Sequence, residues 1–137
     1  VDFRGQKADK MLEQTQDQKE TSVWCLANLD DVKLTMSNSA FPSENIHYVE
    51  GKVEDTIPQI TPKGAIALLR LDTDWYTSTK HELIHLYPSL SENGVMIIDD
   101  YGHWEGCRKA VDEYFAEQKT SILLQRIDYT GRLAIKK

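Results

Sequence analysis

With 137 residues, 40% of them hydrophobic, the chain has room for one domain with a real core, which excludes wholesale disorder. A formal net charge of −6 without a clustered Lys/Arg patch argues against nucleic acid as the main partner. No apolar run reaches the ~20 residues of a membrane helix, so no membrane partner is expected. Cys25 and Cys107 stand alone without metal-ligand spacing and suit reduced packing thiols. With no signal-peptide pattern at the start, they point to a cytoplasmic protein.

In chain order, residues 1–27 are polar, and Ala8, Met11 and Leu12 offer one sparse helical face; the expectation is a surface helix or mobile arm. Asn28 then caps a helix that carries Leu29, Val32 and Met36 on one face. Residues 46–49 read as a short strand, followed by Gly51 and a brief helical stretch broken near Pro58 and Pro62. Two nearly continuous apolar runs, 65–71 and 94–98, read as parallel strands, since strands buried in such sheets lose the apolar–polar alternation. The helix between them spans roughly residues 77–87 with Leu83, Ile84 and Tyr87 inward, and Pro88 and Gly94 close it. Cys107, Ala110, Val111, Tyr114 and Phe115 repeat at i, i+3, i+4, i+7 and i+8, the spacing of an amphipathic helix. Residues 122–124 and 133–135, joined through Asp128, Tyr129, Thr130 and Gly131, predict a final antiparallel hairpin. The fold class is therefore α/β: a mostly parallel sheet with an antiparallel C-terminal edge, in a single domain over 1–137.

The chemistry concentrates at the ends of the two apolar runs. The first ends in Asp72-Thr73-Asp74 and the second in Asp99-Asp100. Adjacent parallel strands present their carboxyl ends along one sheet edge, where open α/β folds bind ligands. Four carboxylates in one small volume repel one another unless a cation offsets them. Hard oxygen donors suit Mg²⁺, Mn²⁺ or Ca²⁺ rather than zinc. Such a cation can grip two oxygens of a diol and acidify one hydroxyl, with a spare carboxylate taking the proton. Solvated loop acids at strand ends are the plain alternative.

A rival motif is His81-Glu82-Leu83-Ile84-His85, which reads H-E-x-x-H and on a helix could hold zinc with Glu82 as general base. Against it, the same helix must bury Leu83 and Tyr87, leaving the histidines near its outer face, and a third ligand, Glu105 at best, belongs to the next helix. His103, just beyond Asp100, is placed to assist proton transfer. Trp75, Tyr76 and Trp104 either line an acceptor pocket or pack.

The strings Leu69-Arg70-Leu71-Asp72-Thr73-Asp74-Trp75-Tyr76, Ile97-Ile98-Asp99-Asp100-Tyr101-Gly102 and Cys107-Arg108-Lys109-Ala110-Val111-Asp112-Glu113 resemble the macrocin O-methyltransferase (TylF-type) family. The segment from Asn45 to Pro58 resembles the family's third-strand region. The resemblance implies a class I, Rossmann-like methyltransferase fold and transfer of methyl from S-adenosylmethionine to a sugar or similar hydroxyl. It implies Mg²⁺ on Asp72, Asp99 and Asp100, Asp74 as general base, and Gly51 and Lys52 near the adenine side of the cofactor. One departure is plain: nothing before Ile46 offers an apolar strand followed by a Gly-rich loop. The chain thus resembles the C-terminal portion of such an enzyme without its first two strands. That implies a free sheet edge or a partner over it, such as a second copy, and leaves an inert metal-binding or assembly module as the alternative function.

Overall fold

The computed structural model describes residues 4–14, 28–60 and 64–137. Its elements are α1 (Gln6–Gln14), α2 (Leu29–Ser37), α3 (Val53–Thr56), β1 (Ile66–Leu71), α4 (Tyr76–Leu86), β2 (Leu90–Ile98), α5 (Glu105–Glu117), β3 (Gln125–Arg126) and β4 (Arg132–Ile135). The four strands form one sheet in the order β1-β2-β4-β3. β1 and β2 are parallel, while β4 runs antiparallel to both β2 and β3. The expected α/β architecture with an antiparallel C-terminal hairpin is present.

Alternation along the strands sorts side chains between two faces. Leu69, Leu71, Met96, Ile98 and Ala134 point to the face covered by α4 and α5, where Leu83, Cys107, Val111, Tyr114 and Phe115 complete the core. The opposite face carries Leu68, 58% exposed, and Ile135, 53% exposed, with Val95, Ile97 and Leu133 only partly covered. Continuous apolar runs are the pattern of strands covered on both sides; among the described residues only one side is covered. β1 is also an edge, as expected for a sheet without strands beyond it.

Lys136, just past β4, donates to the carbonyls of Tyr87, Pro88 and Leu90 at 3.1, 3.0 and 2.7 Å. It thereby satisfies acceptors that the end of a helix leaves without partners. Tyr87 itself packs edge-on against Phe115 and Tyr114.

Several sequence expectations are corrected. α1 is not a loose arm: Ala8 is 1% exposed within the core and Met11 packs beside it. The rest of the arm and Cys25 lie outside the described residues, as does Pro62. The Asn28 cap is present, its side chain accepting from Asp31 N at 2.9 Å. α2 nevertheless buries no residue, and Val32 is 40% exposed, because no described element packs on its apolar face. Residues 46–49 form no strand; Ile46 is extended, but an extended segment becomes a strand only with a ladder partner, and none among the described residues reaches it. Ile84 is 49% exposed, since the inward stripe of α4 runs through Thr79, Glu82, Leu83 and Tyr87 instead. Gly94 lies inside β2 rather than closing the helix, which ends in a 3₁₀ turn at Tyr87–Ser89. The hairpin pairs Gln125 and Arg126 with Leu133 and Arg132 rather than using residues 122–124. The Asp128 carboxylate accepts the amides of Thr130 and Gly131 at 2.8 and 2.7 Å, tightening the turn and setting that register.

The two faces of α4 separate under mutation. Leu83→Ala should lower unfolding free energy by roughly 2–5 kcal/mol and Ile84→Ala by less than about 1 kcal/mol, read by chemical denaturation.

Candidate active site

β1 and β2 end level with each other. Leu71 pairs with Ile98, and Asp99 N donates to Leu71 O at 3.0 Å, extending the ladder one step. The chain then turns at both ends, which brings Asp72 beside Asp99 and Asp100. One carboxylate oxygen from each of these three lies within 4.8 Å of the others. In a strict strand Asp99 and Asp100 would diverge; here they lie past the last strand residue. His103 N and Trp104 N both donate to Asp100 O at 3.0 Å, folding the connection back toward α5. Gly102 N donates to Thr130 O at 2.8 Å. Gly102 must lack a side chain, because a Cβ there would collide with the carbonyl of Tyr129.

Asp74 stands apart from that trio and contacts Asp100 instead. Burial, and next the Asp100 carboxylate, push Asp74 up to about 7. Burial also raises Asp100, while its hydrogen bond from Asp74 and the nearby His103 favour its charged form. The two acids are close enough that each makes ionisation of the pair harder.

The repulsion expected among the acids has a partial answer from the protein itself, which the sequence reading missed. Arg70 reaches over the end of β1 to Asp72 at 2.7 Å and to Asp99 at 3.0 Å. All three side chains are 42–50% exposed, so each pair contributes no more than about 1 kcal/mol. A single cation leaves four carboxylates underneutralised.

Gly51 and Lys52 border the same cleft, of about 700 Å³, as Asp72, Asp74, Trp75 and Arg4. Gly51 has φ +136°, and a Cβ there would lie 2.8 Å from Thr56 Cγ2, so the corner requires glycine on two counts. Arg4 lies 5.4 Å from the centre of the Trp75 ring, which in turn packs on Trp104 at 5.4 Å. Of the three aromatic residues, only Trp75 lines the cleft; Trp104 is buried behind it, and the Tyr76 hydroxyl donates to Glu113 at 2.6 Å. His103 packs edge-on against Trp104 at 4.4 Å, beside Asp100.

The histidine motif does not assemble. Glu82, which a zinc hydrolase would use as base, is 7% exposed and accepts from Thr73 Oγ1 at 2.7 Å. The His81 and His85 rings stack at 4.0 Å, and His85 Nδ1 is bonded to His81 O at 2.9 Å. Among the described residues, no His, Cys, Asp or Glu joins them as a third ligand. The sequence reading did not place Glu82 inward; its hydrogen-bond partner, Thr73, lies nine residues away, beyond the reach of helical spacing.

Fold and site together define a Rossmann-like methyltransferase class. The structure superposes on the O-methyltransferase NovP with a TM-score of 0.75 and 33% identity, over 81% of this chain and 46% of that one. Against CalS11, a TDP-rhamnose 3'-O-methyltransferase of calicheamicin biosynthesis, the TM-score is 0.54 at 25% identity, over 64% of this chain and 40% of that one. The chain belongs to the macrocin O-methyltransferase (TylF) family, whose model matches residues 3–135. Demethyldecarbamoylnovobiocin O-methyltransferase of Streptomyces niveus is 36% identical over 74% of this chain and 38% of its own length. Mycinamicin III 3''-O-methyltransferase of Micromonospora griseorubida is 36% identical over 76% and 40%. The chain therefore spans about two fifths of the length of these curated relatives.

Burial raises Glu82 from the ordinary glutamate range to about 7. The folded chain holds that proton to higher pH than the unfolded one, so the contribution of Glu82 to stability is fully present below about pH 4.5 and is lost as pH rises through about 7. Glu82→Gln should remove this part of the decline and raise stability at pH 8 by about 1–3 kcal/mol, read from denaturation midpoints across pH.

Proposed function

We propose that this chain carries the metal- and acceptor-binding part of an S-adenosylmethionine- and Mg²⁺-dependent O-methyltransferase acting on a hydroxyl of a sugar-containing small molecule. The observation that carries the proposal is the convergence of Asp72, Asp99 and Asp100 within 4.8 Å, with Asp74 beside Asp100 in a cleft bordered by Gly51 and Lys52. The printed names of the relatives, which include sugar-directed O-methyltransferases, support the reaction class.

The donor set fits a hard divalent ion: three carboxylates, no sulfur and no imidazole among them. Asp72, Asp99 and Asp100 would hold it. Bound there, Mg²⁺ would orient a hydroxyl and lower its pKa. The Gly51 corner suits a cofactor that approaches the backbone closely, and Gly51 and Lys52 would take its adenine side. S-adenosylmethionine supplies the electrophilic methyl group.

Asp74 is the base of this proposal. A carboxyl raised toward 7 by burial and by its neighbour is matched to accepting a proton near neutral pH. Asp100 accepts a hydrogen bond from Asp74 once Asp74 carries the proton, and His103, at Asp100's flank, is placed to help that proton leave. Trp75, backed by the buried Trp104, supplies an apolar wall that excludes water beside the acids. The open edge of β1, with the exposed Leu68 beside it, calls for further strands or a second copy against it.

Calorimetric titration of the 137-residue chain with Mg²⁺ and Zn²⁺, repeated on Asp99→Ala, tests the reading. Mg²⁺ or Mn²⁺ binding that Asp99→Ala abolishes is expected; tight zinc binding indifferent to Asp99 would transfer the function to the histidine helix. S-adenosylmethionine binding by the same chain would speak against an inert module. Asp74→Asn should leave Mg²⁺ affinity within about threefold while lowering methyl transfer by roughly 10²–10⁴. Equal losses in both would sink the division of roles.

A further inference from the structure

Glu82 is the one charged side chain buried among the described residues, at 7% exposed; the proposed metal site does not use it, and the zinc motif that would use it does not assemble. A carboxylate in that position costs free energy that leucine or methionine would not. Its partner is the hydroxyl of Thr73, at 2.7 Å, and Thr73 lies between Asp72 and Asp74.

The hydroxyl protons on this short stretch can be followed. Thr79 Oγ1 donates to Thr73 O at 2.8 Å, so its single proton is used there, and the Thr73 proton goes to Glu82 Oε2. The two hydroxyl oxygens remain 3.1 Å apart. Backbone ties hold the segment on either side: Asp99 N to Leu71 O at 3.0 Å, and Cys107 N to Asp74 O at 3.1 Å. Thr73 is therefore tied to α4 twice, its carbonyl by Thr79 and its side chain by Glu82. Asp72, on one side of Thr73, reaches Asp99, and Asp74, on the other, reaches Asp100; holding Thr73 therefore holds the residue between two site carboxylates.

We propose that Glu82 is a positioning residue which, through the Thr73 hydroxyl, orients Asp72 and Asp74 for their roles at the acidic site. The inference rests on the proposed metal site for its functional meaning. The same H-E-x-x-H string that suggests a zinc ligand helix is then the outer face of a helix whose glutamate serves the strand end beneath it. Such outer partners typically change metal affinity 10–100-fold when removed.

The test uses Mn²⁺ as probe on the 137-residue chain, with affinity read by titration calorimetry and stability by thermal unfolding. Glu82→Leu and Thr73→Val should each weaken Mn²⁺ binding by about tenfold, with the double variant no weaker than the worse single one, because both remove one interaction. Glu82→Gln and Thr73→Ser, which keep an acceptor and a donor, should restore affinity to within about threefold of the unsubstituted chain. Glu82→Leu should not lower the melting temperature, which separates positioning from a merely structural role. Unchanged Mn²⁺ affinity in both Glu82→Leu and Thr73→Val, or additive losses in the double variant, would overturn the inference. If the unsubstituted chain binds no Mn²⁺, or Asp99→Ala does not reduce binding, the metal reading fails by itself. Amide hydrogen exchange at Cys107 and Thr79, whose N–H groups donate to Asp74 O and Trp75 O, then decides the positioning: faster exchange there in Glu82→Leu, with β2 unchanged, supports it, and no change overturns it.

Discussion

The site depends on two parallel strands ending at the same level. Once Leu71 and Ile98 are paired and the Asp99 amide closes on Leu71 O, the next residues on both chains must share one edge. Those residues are acids, so the fold places like charges together where repulsion and partial burial both oppose ionisation. Each of the other features at the strand ends answers that constraint. Arg70 offsets part of the charge, Asp74 pairs with Asp100, and the turn after β2 is tied down by amides that bond to the Asp100 carbonyl rather than to its carboxylate.

α4 serves the core and the site with one stripe of side chains. Leu83 and Tyr87 pack into the hydrophobic core, while Thr79 and Glu82, on the same side, hold the residue between Asp72 and Asp74. Lys80 and Tyr76 reach across to Glu117 and Glu113 on α5, so the helix that steadies one strand end is braced by the helix that follows the other. α1 closes the assembly from a third direction. A Cβ on Gly5 would lie 2.5 Å from Glu105 Oε2, a close approach that sets the helix against the start of α5, with Ala8 in the core and Arg4 over Trp75 at the cleft.

The uncovered side is as informative as the covered one. Leu68 and Ile135, on the sheet face that α4 and α5 do not reach, are exposed apolar side chains, as are Val32 on α2 and Phe41 and Val49 beyond it. The chain matches about two fifths of the length of its curated relatives, and among the described residues β1 is an open edge of the sheet.

The sequence by itself determined the elements whose cause is local or periodic. The Asn28 cap, the amphipathic stripe of α5, the parallel pair and the acids at its ends were legible because capping, 3.6-residue spacing and apolar runs act within a few residues. The convergence of Asp72, Asp99 and Asp100 followed from one topological rule and adjacency in the sheet. Tertiary structure decided what depends on partners distant in the chain. Residues 46–49 are no strand because a ladder needs a neighbour. Ile84 faces out because Glu82, not the more apolar side chain, has a hydrogen-bond partner inside. The hairpin register followed the Asp128 turn rather than the apolar run before it. Arg70 looks in sequence like an interruption of an apolar strand; only the packing of β1 on β2 shows it as the cation nearest the acids, because charge compensation is a matter of distance in space.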